Sequence, residues 1–215
     1  MSIKLVIFDL DGTLIDSSVD IANAVNYAFG RYSVPMLTVQ EVISLVGEGI
    51  SSLIGKLIVK EGIEAETDSL VEQFLNYYSA HLTDNTTVYP GVKEVLEQLG
   101  AYFKAVISNK RESLSVKILE QLELSEYIDI IVGSETVKER KPSPLPVYYV
   151  LSKLGISPDA AIIVGDSNYD IESGKAAGIK TVAVTYGYRP LEFLQGADFI
   201  INGMPELTDV LRRLS

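Results

Sequence analysis

Four short polar clusters in this sequence hold the residues able to do chemistry. "DLDGT" places Asp9 and Asp11 two residues apart, directly after the apolar run Leu5 to Phe8. "ISNK" supplies Ser108, Asn109 and Lys110, "KPSP" supplies Lys141, and "GDSNYD" supplies Asp166 and Asp170. Like charges repel and burying a carboxylate is costly, so two acids at the end of an apolar strand need something positive between them. Several carboxylates together make a hard oxygen site suited to Mg²⁺. A lysine and a hydroxyl beside that site suit a bound phosphate. One acid can then act as a nucleophile and form an acyl-phosphate. The acid two residues on can protonate the leaving oxygen and later take a proton from water.

For this chemistry to assemble, the clusters must share a location. Apolar runs at 3–9, 103–108, 128–133, 161–165 and 181–185, with a weaker one at 198–201, read as strands. They lack period-two alternation, as expected of strands covered on both faces. After "PG" at 90–91, Val92, Val95, Leu96 and Leu99 form a helical stripe. After "PSP" at 142–144, Val147, Val150, Leu151 and Leu154 form another, and Gly155 caps it. Alternating strands and helices predict an α/β fold, a Rossmann-like, doubly wound parallel sheet. In such a sheet ligands bind outside the carboxyl ends of the strands, which puts all four clusters on one rim.

Residues 17–85 interrupt the alternation. Ser17 is placed to cap a helix whose buried face is Ile21, Ala24, Val25, Ala28 and Phe29, and helical stretches follow near 39–46, 51–61 and 66–82. This predicts a helical cap at 17–85 inserted into a core of 1–16 plus 86–215, with hinges near 14–18 and 84–90.

The quartet "DLDGT", "ISN", "KPSP" and "GDSNYD", in that order over essentially the whole chain, resembles the haloacid dehalogenase-like phosphohydrolase superfamily. The insertion is similar to that of its members with a small helical cap. The resemblance implies Asp9 as nucleophile and Mg²⁺ ligand, and Asp11 as general acid/base that meets the metal through its backbone carbonyl. It implies that Ser108 and Lys141 hold the phosphoryl group and that Asp166 and Asp170 complete the metal site. Thr13, a support of the first loop, and Asn109, an accessory residue, are placed with the substrate-binding residues. An acid at position 11 argues against dehalogenation, since an ester needs a protonated leaving oxygen and a carbon–halogen bond does not. Thr13 leans toward a hydrolase rather than a mutase.

"VGEGISSLI" (46–54) resembles the cap loop of phosphoglycolate phosphatases, as does the C-terminal "VTYGYRP". There Gly47 and Gly49 let the backbone approach a small substrate, whose carboxylate would meet amides and Lys56. The expected partner is thus a small-molecule phosphate ester, with 2-phosphoglycolate foremost. An inorganic pyrophosphatase or a sugar-phosphate phosphatase or phosphomutase of the same superfamily remains open, as does a non-catalytic protein that binds a phosphorylated ligand.

Composition narrows the classes further. The net charge is −11, which argues against nucleic acid and anionic membrane as partners. There is no Cys, so disulfides, zinc–thiolate sites and thiol catalysis are excluded. Without a leader-like segment or a membrane-length apolar run, the expectation is a cytoplasmic protein.

Each cluster also has a plainer reading. Asp-Gly is a common turn dipeptide. Ser108 and Asn109 suit the N-cap of a helix at 111–122, and Asp166 and Asp170 suit the start of one near Ile171. Lys141 competes with Lys138 and Arg140 as a surface charge. His81 and the Tyr148/Tyr149 pair read as ordinary polar and packing residues.

Overall fold

The computed structural model describes residues 2–32 and 34–214. The chain forms two compact units, Met1–Asp16 with Val88–Ser215, and Ser17–Thr87.

The first unit is built on a six-stranded sheet: β1 (Leu5–Phe8), β2 (Phe103–Ile107), β3 (Ile130–Val132), β4 (Ala161–Gly165), β5 (Lys180–Val184) and β6 (Phe199–Ile201). Their spatial order is β3-β2-β1-β4-β5-β6, and each pairing is parallel. This is the doubly wound order in which the direction of winding reverses between β1 and β4, the place where such sheets bind ligands. Leu5 and Ile7 pack with Ala105, Ile107, Ala161 and Ile163, and with Val147, Val150 and Leu151 of the helix at Leu145–Leu154. Val6 and Phe8 point the opposite way and are equally buried, so both faces of the sheet are covered. Each of these four side chains stabilises the strand by roughly 1.5–3 kcal/mol. That burial is large enough to hold the strand end where acids repel one another.

β1, β2, β3 and β6 are slightly shorter than their apolar runs, whereas β4 matches its run and β5 lies one residue earlier; at β1 backbone pairing runs past both ends. Lys4 N donates to Ala160 O at 2.8 Å and Asp9 N to Val164 O at 2.9 Å, flanking β1 on both sides. The helices of this unit that follow β2 and β4 cover Glu112–Gln121 and Asn168–Ala177. The second begins before Ile171, because Ser167 is its N-cap and Asp170 its third residue, joined in a capping box.

The second unit is helical: α1 (Ser18–Phe29), α2 (Val39–Ile43), α3 (Ile50–Glu61) and α4 (Thr67–Tyr78). Ala24, Val25, Ala28 and Phe29 of α1 are buried, as are Leu53, Ile54 and Leu57 of α3 and Leu70, Val71 and Phe74 of α4. α2 and α4 end earlier than their apolar patterns. Ser44 Oγ donates to Glu41 O at 2.7 Å and Ser79 Oγ to Asn76 O at 3.3 Å, so hydroxyls engage carbonyls in the closing turns. The unit reaches Thr87 rather than residue 85 because Asp20 of α1 grips Asn85 and Thr86. Their backbone amides donate to Asp20 Oδ2 at 2.9 and 2.8 Å.

Candidate active site

β1 ends at Phe8 and delivers Asp9 into the loop beyond; β4 ends at Gly165 and delivers Asp166. Because β1 and β4 are neighbours in register, with Phe8 opposite Val164, these acids meet although far apart in sequence. One oxygen from each of Asp9, Asp166 and Asp170 can be chosen so that all three lie within 4.8 Å of one another.

Lys141 sits at the centre of the cluster, with 2% of its surface exposed. Its Nζ lies 2.8 Å from Asp9 Oδ1 and 2.6 Å from Asp170 Oδ1, and donates to Ile107 O at 2.8 Å. It is therefore no surface charge. Burial works against its charge, but Asp170 and Asp9 more than offset this and hold the ammonium above the usual lysine range. Asp9 Oδ1 also accepts from the Leu10 amide at 2.7 Å, which fixes the rotation of this carboxylate. Burial first, then the charge of Asp170, pushes Asp9 well above the ordinary carboxylate value. The same two causes, in the same order, push Asp166 up to about 7.

Asp166 is held by two neighbours. Thr13 Oγ1 donates to its Oδ1 at 3.2 Å, and the Tyr188 amide donates to its Oδ2 at 2.7 Å. Asp170 Oδ2 accepts from Ser167 Oγ at 2.6 Å and Ser167 N at 3.2 Å, leaving Oδ1 turned to Lys141. Asp170 thus serves both helix start and cluster: the capping reading and the site reading hold together.

Asp11 lies on the same loop, paired with Lys110 Nζ at 2.6 Å with both side chains largely buried. Ser108 is buried and accepts from the Lys110 amide at 3.2 Å. It does not cap the following helix, whose N-cap is Arg111. Asn109 Nδ2 donates to Lys141 O at 3.0 Å, so its visible contact steadies the lysine's backbone. Thr13 and Asn109 therefore both touch other site residues. Gly47 and Gly49 lie in the helical unit with φ of +125° and +83°, and Gly49 is the N-cap of α3. Lys56 is paired there with Glu48 at 2.8 Å. His81 bonds Asp84 at 2.7 Å and stacks on Tyr77. Tyr149 packs against the core cluster and Tyr148 reaches Ala176 O at 3.1 Å.

Several contributors escape a reading by side-chain chemistry. Gly12 has φ +84°, and a Cβ there would run into the Asp166 carboxylate. A Cβ on Gly187 would collide with both Asp166 Cβ and Gly12 O. Tyr186 OH donates to Thr13 O at 2.8 Å, and its ring leans on Tyr89 with centroids 4.6 Å apart. The only signal in the sequence is "TYGYRP", a glycine between tyrosines after an apolar run.

Asp9, Asp11, Asp166 and Asp170 carry four negative charges when ionised; Lys110 and Lys141 carry two positive ones, so 4 − 2 leaves two uncompensated. After burial, the next cause that pushes Asp9 and Asp166 up is the neighbouring charge of Asp170, which points the same way: acids without enough positive charge nearby. All the donors are hard oxygens. A divalent hard cation fits them.

The family model described as haloacid dehalogenase-like hydrolase matches residues 6–184, which takes in all four clusters. The chain belongs to the haloacid dehalogenase-like hydrolase family. A phosphoglycolate phosphatase of Chromobacterium violaceum is 42% identical over 98% of this chain and 97% of its own length. One from Aquifex aeolicus is 39% identical over 97% of this chain and 96% of its own. Among solved structures, a predicted phosphoglycolate phosphatase from Haemophilus somnus superposes with a TM-score of 0.91 at 30% identity, covering 98% of each chain. As a haloacid dehalogenase-like hydrolase with these relatives, the chain is a phosphoric monoester hydrolase, with the parallel sheet and the acidic cluster expected of one. Among the described residues, no helix is long and apolar enough to cross a membrane.

Proposed function

We propose that this hydrolase is a Mg²⁺-dependent phosphatase acting on 2-phosphoglycolate through an aspartyl-phosphate on Asp9. The observation that carries the chemistry is Lys141 Nζ, buried 2.8 Å from Asp9 and 2.6 Å from Asp170, with the Asp166 carboxylate beside them. The substrate is carried by the likeness to phosphoglycolate phosphatases over nearly the whole chain.

Asp9, Asp166 and Asp170, with the backbone carbonyl of Asp11, would hold the metal. When bound, Mg²⁺ keeps these carboxylates ionised and offsets charge on the phosphoryl oxygens. Lys141 and Leu10 N hold Asp9 Oδ1, which leaves Oδ2 as the attacking oxygen. Oδ2 bonds to phosphorus in line, the phosphorus–oxygen ester bond breaks, and Asp11 gives its proton to the leaving alcohol. Water then attacks phosphorus while Asp11 takes its proton, freeing Asp9 and inorganic phosphate. Lys141 and Ser108 balance and orient the phosphoryl oxygens in both steps. Residues 17–87 act as the cap that chooses the substrate, with Gly47 and Gly49 in its selecting loop.

The test is phosphate release from a panel of esters with Mg²⁺ and with EDTA: 2-phosphoglycolate, sugar phosphates, nucleotides, pyrophosphate and an aryl phosphate. The expected result is metal-dependent release with 2-phosphoglycolate preferred. Preference for pyrophosphate or a sugar phosphate overturns the substrate, and release undiminished by EDTA overturns the metal.

A further inference from the structure

The core unit holds two largely buried lysines at its strand ends, each bonded to a different member of the Asp9/Asp11 pair. Lys141 serves Asp9, the phosphoryl side. Lys110 serves Asp11: its Nζ lies 2.6 Å from Asp11 Oδ1, with side-chain exposures of 9% and 12%. We infer that Lys110 is the residue that recognises an anionic group on the leaving alcohol. The inference rests on the reading of Asp11 as the acid that protonates that alcohol.

Geometry carries the argument. To give up its proton, Asp11 must come within about 2.6–3.2 Å of the ester oxygen. A cation already in contact with Asp11 is then a close neighbour of whatever that oxygen bears. In a phosphorylated 2-hydroxy acid the carboxylate carbon is two bonds from the ester oxygen, so the anion arrives beside Lys110. Lys110 is preorganised for this role. Its amide donates to Ser108 Oγ at 3.2 Å and its carbonyl accepts from Ser134 N at 2.9 Å, so its backbone is fixed on both sides. Scant exposure strengthens charge pairing there. The substrate carboxylate can take Lys110 Nζ from Asp11 Oδ1, and the released oxygen turns to the leaving oxygen.

The experiment compares 2-phosphoglycolate with its neutral amide, 2-phosphoglycolamide, with Mg²⁺ present, in wild type, Lys110→Met and Lys110→Arg. The readout is the ratio of kcat/KM for acid over amide. Losing one charged hydrogen bond predicts that Lys110→Met lowers this ratio by about 10- to 100-fold, and that Lys110→Arg, which keeps the charge, restores most of it. A fall of less than about tenfold overturns the inference, because a lysine that merely holds Asp11 in place would slow both esters alike. If thermal unfolding shows that Lys110→Met does not fold, Lys110→Gln is read by the same criterion. A wild type that hydrolyses acid and amide equally contradicts the substrate reading itself. A wild type that prefers the acid, with a variant that keeps the preference, contradicts the role of Lys110 alone.

Discussion

A carboxylate buried among other acids needs positive charge to stay ionised, and around Asp9 few cations are shared among many oxygens. Each visible oxygen contact in the cluster fixes an orientation: Thr13 and the Tyr188 amide on Asp166, Ser167 on Asp170, the Leu10 amide on Asp9. Close tolerances around these acids come from residues that have no side chain. Gly187 leaves no room for a methyl group between Asp166 and the Gly12 carbonyl. Gly187→Ala is therefore expected to displace Asp166 and cost roughly 100-fold in kcat/KM. Steady-state kinetics on the preferred ester check this, and a variant within about threefold of wild type would show that the loop yields. At this scale the acids were legible because they lie just beyond apolar strands with charges that need an explanation, and Lys141 because its place before Pro142 matches the family motif. Gly187, Tyr188 and Tyr186 were not: they act through excluded volume, a backbone amide and a hydroxyl on a carbonyl, none of which a residue type announces.

Among elements, strand positions were readable because buried parallel strands are apolar throughout, and so were the ends of β4, whereas the ends of β1 were not. The ladder continues at Lys4 and Asp9 in backbone bonds that leave no apolar trace. Helix ends were blurred for another reason. Serine hydroxyls close α2 and α4 early, and Ser167 with Asp170 starts the helix after β4 three residues before Ile171. The unforeseen element-level contact is Asp20, 1% exposed in α1, which accepts from both the amides and the side chains of Asn85 and Thr86. This ties the first helix of the second unit to its last residues. Asp20→Ala leaves buried donors unmet and is expected to destabilise the protein by about 3 kcal/mol. Urea unfolding reads the change, and a loss under about 1 kcal/mol would mean that water replaces the carboxylate.

Across the whole molecule, a net charge of −11 repels the anionic ester that the enzyme must hold. The strand order resolves this conflict locally. By placing β1 beside β4 and β2, it draws Lys141, Lys110 and a set of acids that could hold a metal ion to one rim out of four distant stretches of sequence. The rim was predictable from the alternation of strands and helices. The pairing of Lys110 with Asp11, and of Lys141 with Asp9 and Asp170, was not, since it depends on side-chain packing across the switch point. The central claim is that Asp9 carries the phosphoryl group, and one measurement reaches it directly. Asp11→Asn, mixed with 2-phosphoglycolate and Mg²⁺ and quenched in acid, is analysed by intact mass and peptide mapping. The expected result is one phosphoryl group per chain, located on Asp9 and absent when Asp9→Asn is added. Phosphate on any other residue, or turnover retained by Asp9→Asn alone, would contradict it.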